Sequence, residues 1–186
     1  MLNNNMAIPN NTVACPLPDN ITPLSPNGFN FTITKIPNIS FFCQQANLPG
    51  ITFGDPMFAN PFASVPIPGD HLTYDTLSIQ FLVDSGMKNY QSIYNWMIAL
   101  GFPQSYEQYI NFKSSDTTAF SLNELANNYS DALLQILDGN NNPVQTVQFV
   151  DIFPIAIESV LFQSTNTDVP YIVGNATFRY SYYKFI

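Results

Sequence analysis

The sequence predicts a mainly β fold: an antiparallel β-sandwich or partly closed barrel of about seven strands with one flanking helix. Three observations carry this. The chain holds 16 Phe and 10 Tyr against one Trp, and aromatic residues favour strands. It holds 15 Pro and 22 Asn, which favour turns and loops. And one segment alone has a clear helical period. At 186 residues the chain is most simply one domain, read as an extended N-terminal arm over residues 1–28 followed by a single β domain over 29–186.

The arm holds five prolines and seven asparagines and almost no periodicity. Such a segment buries too little apolar surface to offset its own ordering cost. It is either disordered or laid across a neighbour. The first strand is Phe29–Lys35, with Phe29, Phe31 and Ile33 on one face. Pro37-Asn38 is turn material, and Ile39–Asn47 is the second strand, so the two are expected as a hairpin. Prolines 56, 61, 66 and 68 then interrupt the chain. They leave room for a short extended piece at Ser64–Ile67, since proline is tolerated at sheet edges.

Residues 73–101 are the best-patterned stretch. Leu77, Ile79, Phe81 and Val83 alternate, as in a strand with one buried face. Tyr90, Ile93, Tyr94, Met97 and Ile98 then recur at helical spacing, widened by Trp96 and Leu100. Asn89 is the candidate N-cap. Gly101 and Pro103 supply the stop. From Phe102 to Ser130 the pattern is lost, apart from a helical turn expected near Leu122–Ala126. Four aromatics in this polar connection favour a contact surface over disorder. Strands resume at Ala132–Asp138, and DGNNNP turns into Pro143–Val150. Val144, Thr146 and Gln148 face one way and Gln145, Val147 and Phe149 the other, which leaves the buried face open. Asp151–Pro154 reads as a break. Ile157–Gln163 and Asn175–Phe185 are the last strands, the latter with Ala176, Phe178, Tyr180 and Tyr182 on one face.

Charge and chemistry exclude several classes. The formal balance is 13 acids to 5 bases, a net charge of −8. Lys35, Lys88, Lys113, Arg179 and Lys184 are scattered, so the chain lacks the basic patch that grips phosphates. No run approaches a membrane span, and residues 1–11 have no signal-peptide character. His71 is the one histidine. With Asp70 beside it a Ser-His-Asp triad can be drawn, but no Gly-x-Ser-x-Gly elbow supports it. Cys15, Cys43 and His71 lack metal-site spacing, and the two cysteines are read as free thiols. The sequons at Asn10, Asn20, Asn30, Asn38, Asn128 and Asn175 are what an Asn-rich chain produces by chance. The helical stripe Ile93, Trp96, Met97, Leu100 is core packing. No catalytic, cofactor or metal residue is assigned: the surfaces of a non-enzyme do the work.

Several segments resemble one family. SVPIPGD at 64–70, LxIxFLVD at 77–84 and IYNWM at 93–97 are similar to the tail-completion proteins of T-even-like contractile-tailed phages, also called tail tube terminators or sheath stabilisers. LGFPxSYEQ at 100–108 and STNTDVPY at 164–171 resemble the cyanophage branch. The similarity covers Phe29 to Ile186, although the 102–130 connection is longer than in T-even members. The resemblance implies a tail-tube fold and a homohexamer that caps the head-proximal end of the tail tube. It implies tube protein, sheath terminator and neck or connector proteins as partners, a place in the virion, and double-stranded DNA only in transit through an acidic lumen. A tube subunit or baseplate-end initiator is the alternative on the same fold. A small β-sandwich binding protein or enzyme is the distant one.

Overall fold

The computed structural model describes residues 24, 26–59, 61–101, 103–108, 110, 128–163 and 171–186. Among these are eleven strands. In order, the elements are β1 (Phe29–Ile33), α1 (Asn38–Phe42), β2 (Cys43–Ala46), β3 (Ile51–Phe53), β4 (Met57–Ala59), β5 (Ser64–Pro66) and β6 (Leu72–Tyr74). They continue with β7 (Leu77–Leu82), α2 (Lys88–Gly101), β8 (Ser130–Leu137), β9 (Pro143–Ile157), β10 (Val173–Arg179) and β11 (Tyr182–Phe185). The main sheet runs β1-β8-β9-β10-β7-β2, with β11 also on β9. Every pairing in it is antiparallel, as expected, and no barrel closes.

The fifteen-residue β9 organises this sheet. Its first half pairs with β8 and β11, its second half with β10. Between them Val150 and Asp151 lie opposite the single residue Asp131, with Ser130 facing Ile152 and Ala132 facing Phe149. Asp151 takes φ 57°. This is a β-bulge, and a bulge bends its strand. The bend sets β1-β8-β9-β11 against β10-β7-β2 with one core between them. Phe31, Ile33, Leu134, Val147 and Phe149 come from one side and Leu77, Ile79, Phe81, Ala176 and Phe178 from the other. The buried face of β9 left open by the sequence is therefore that of Val147 and Phe149.

Several expectations are corrected. The second strand begins only at Cys43, because Asn38–Phe42 form a helical turn. Pro37 sits at φ −63° and ψ −23°, ready for a helix start, and Ser40 Oγ donates to Pro37 O at 2.8 Å. The first two strands are not a hairpin: β1 pairs with β8 and β2 with β7. No break occurs at Asp151–Pro154. The bulge absorbs the aspartate, and beyond Ile152 β9 has a strand on one side only, where proline is tolerated. Consequently Glu158–Gln163 is not a strand. The last strand divides at Tyr180-Ser181, which turns Tyr182 outward and Tyr183 inward. Most of the arm, most of the 102–130 connection and the 164–170 loop lie outside the described residues.

The helix α2 is fourteen residues long. Its buried stripe is Asn89, Ile93, Trp96 and Ala99, so the face is rotated from the expected one and Tyr94 is exposed. Trp96 packs on Phe178, and its Nε1–H donates to Asn128 O at 3.2 Å. Lys35 Nζ lies 5.4 Å from the centre of the Trp96 ring. The cap is Asp84, whose Oδ1 accepts from Lys88 N at 2.6 Å. Asn89 is instead fully buried. Its Nδ2 donates to Leu82 O at 2.7 Å, and its Oδ1 accepts from the amides of Asp84 and Tyr90. One side chain thus ties the end of β7 to the start of α2.

Candidate functional site

Residues 48–74 leave the sandwich as a two-stranded ribbon, of which the sequence foretold only the piece near Ser64. The inner half pairs β3 with β6: Ile51 opposite Tyr74, Thr52 opposite Thr73, Phe53 opposite Leu72. The outer half pairs β4 with β5: Met57 opposite Pro66, Phe58 opposite Val65, Ala59 opposite Ser64. Gly54 and Gly69 join the halves. Gly69 N donates to Gly54 O at 2.7 Å. A Cβ on Gly69 would lie 2.5 Å from that oxygen, so only glycine fits.

The root of the ribbon is fixed. Asn47 Oδ1 accepts from Ser78 N at 2.6 Å and its Nδ2 donates to Thr76 O. Asp75 N donates to Gly50 O at 3.1 Å, and Tyr183 OH donates to Pro49 O at 3.4 Å. Tyr74 meets the edges of Tyr180 and Tyr183 at ring distances of 5.8 and 5.7 Å, and Phe149 meets Tyr180 at 5.1 Å. Such geometry adds about 0.5–1.5 kcal/mol per pair beyond burial. Tyr180 OH is buried and has no hydrogen-bond partner among the described residues. Burial pushes that phenol up to about 12, helped by the neighbouring Tyr183, Asp75 and Tyr74.

Beyond its root the ribbon is apolar and uncovered. Phe53 is 49 % exposed, Phe58 61 % and Met57 63 %, and Leu48, Ile51, Val65, Ile67 and Leu72 are exposed as well. A contiguous apolar surface of this kind marks an interaction site. Its ionisable groups are Asp55, Asp70, His71 and Asp75, with no Lys or Arg anywhere from 36 to 87. The strand edges form a second unpaired surface. β1 pairs only with β8 and β11 only with β9, so each has an outer edge without a strand among the described residues. An open edge presents N–H and C=O groups that recruit another strand.

The residues weighed for chemistry do not converge. His71 Nδ1 and Asp70 Oδ1 are 2.5 Å apart on an exposed bend of the ribbon, and no serine bonds this pair among the described residues. Cys43 is half-buried in β2, and burial pushes its thiol up to about 11, the opposite of a reactive cysteine. Cys15 and Lys113 lie outside the described residues. No three His, Cys, Asp or Glu side chains cluster as metal ligands among the described residues. No helix is long and apolar enough to cross a membrane. The groove beside β2, β7 and β10 is shallow and lined by Gln45, Ser78, Gln80 and Thr177, with Asn175 Nδ2 donating to Glu158 at 2.7 Å.

The arrangement is shared with known assemblies. The cap of the anti-feeding prophage, its tube terminating cap, superposes with TM-score 0.58 at 13% identity over 94% of this chain and 98% of that one. A chain of the sheath–tube complex of the extracellular contractile injection system PVC superposes at 0.57 and 12% identity, covering 88% and 91%. A chain of the sheath/tube terminator of that system superposes at 0.55 and 15% identity, covering 89% and 97%. At such identities these similarities establish the fold. No curated protein matches the sequence. The profile of the phage tail tube protein family matches residues 9–186, and the chain belongs to that family.

Proposed function

We propose that this protein is a structural, non-enzymatic component of the phage tail: the subunit of a six-membered ring that caps the head-proximal end of the tail tube. There it ends tube growth and joins tube and sheath to the neck. The observation that carries this reading is the ribbon, whose large apolar side chains are too numerous for a chain that works alone. The strand edges supply the closure. In β1-β8-β9-β11 each strand runs opposite to the next. With four strands, β11 of one copy beside β1 of the next continues the alternation without a fault. Repeating that head-to-tail contact satisfies every edge once the circle closes.

The same sheet suggests what DNA would meet in the lumen. Its face away from the core carries Asn30, Thr32, Gln135, Thr146 and Gln148, with Asp131 and Lys184 as one acid and one base. Gln148 Nε2 donates to Asp131 at 3.2 Å. The other described acids, including Asp55, Asp70, Asp84 and Asp138, lie in the ribbon and turns. A neutral amide wall would neither hold nor repel a phosphate backbone, so transit relies on neutrality and not on the acidic lumen first expected.

The family-specific segments and the near-complete coverage of the tube terminating cap favour a terminator. The almost equal similarity to a chain of the sheath–tube complex supports a second reading, a tube subunit. Electron microscopy of the purified protein separates them. Single six-fold rings are expected, long filaments would mean a tube subunit, and a stable monomer would end both readings.

A further inference from the structure

The two halves of the ribbon have different side-chain patterns. Directly opposed residues share a face of the pleat. In the inner half one face carries Ile51, Phe53, Leu72 and Tyr74 and the other carries Thr52 and Thr73. That is the alternation of a strand pair covered on one side. The outer half does not alternate. Phe58 and Val65 are on one face, Met57 and Pro66 on the other. A run apolar on both faces is the signature of strands covered on both faces. Yet all four of these side chains are exposed.

We propose that the outer half of the ribbon is a wedge inserted between two neighbouring copies of this chain, while the inner half lies on one copy with its threonine face in solvent. This rests on the ring reading. Charge argues for copies of the chain body as the occupants. The ribbon carries Asp55, Asp70 and Asp75 and no base, whereas Lys35, Lys88, Arg179 and Lys184 are all on the body. Ribbon against ribbon would set like charges together, and ribbon against body sets opposite ones together. Stoichiometry agrees: a closed ring has one crevice between adjacent copies for each ribbon it has to place. A wedge in a crevice has one copy on each face.

Hydroxyl-radical footprinting of the unmodified protein tests this, because methionine and phenylalanine side chains report oxidation directly. In rings of this chain alone, oxidation of both Met57 and Phe58 should fall at least fivefold relative to the separated subunit. Single cysteines in a Cys15→Ser, Cys43→Ser background give the face control. A polar maleimide should modify Phe53→Cys slowly and Thr52→Cys at the rate of an exposed thiol. Intact rings in which Met57 or Phe58 stays as reactive as in the separated subunit would overturn the wedge and leave the ring standing. So would protection that appears only when tube protein is added. Absence of rings by microscopy would overturn the ring reading and the wedge with it.

Discussion

The sandwich and the ribbon use the same apolar residue types and treat them in opposite ways. Phe31, Phe81, Phe149 and Phe178 are completely buried, whereas Phe53 and Phe58 are about half exposed or more. In the sandwich, each phenylalanine meets partners brought from distant strands, so its burial is settled within the chain. In the ribbon, two strands alone cannot cover either face, and a two-stranded hairpin is marginal by itself. Composition therefore overstates the internal core of this protein. Part of its apolar content is held back for surfaces that a single copy does not possess.

Substitutions can break or sharpen this contrast. Phe178→Ala should cost about 3–5 kcal/mol in urea unfolding, the range for truncating a buried phenylalanine, because it removes the packing partner of Trp96. A loss below about 1 kcal/mol would show a sandwich far looser than its burial indicates. Asn89→Leu keeps volume but strands Leu82 O and Asp84 N. It should cost about 2–4 kcal/mol, with thermal melting and amide exchange showing the β7–α2 junction opening first. Phe53→Ala is the ribbon counterpart of the first change. It should alter unfolding of the separated subunit by no more than about 0.5 kcal/mol yet abolish rings in sedimentation velocity. If it instead destabilised the subunit as Phe178→Ala does, the distinction between the two regions would be gone. At the junction, Tyr180→Phe removes a buried hydroxyl without a described partner. It should leave stability unchanged or raise it by up to about 1 kcal/mol, and a clear loss would reveal a partner for that oxygen.

Legibility in the sequence followed the same division. β7 and α2 were readable because each carries its own period over enough residues, and β8 and β9 because DGNNNP marks their turn. Asn38–Phe42 was misread because Ile39 and the two phenylalanines favour strands, and nothing local announces that Pro37 and the burial of Ile39 override them. The stripe of α2 was read from hydrophobicity, which cannot see that a buried Asn89 with three bonds rotates the face. Asp151 and Pro154 were taken as punctuation, since a bulge is visible only against the partner strand. The ribbon was nearly invisible. Its strands are three residues long and separated by prolines, and its lack of alternation reads as loop until the pairing is known.

The bent strand β9 has a mechanical corollary. Both sheets share one uninterrupted stretch of backbone, so a pull applied to β8 or β11 reaches β10 through covalent bonds and not through interlocked side chains. Tension would meet peptide linkages at the crossing, and shearing one layer over the other would require unzipping hydrogen bonds along β9 first. A subunit wired in this way suits a machine whose parts are wrenched past each other in a single stroke.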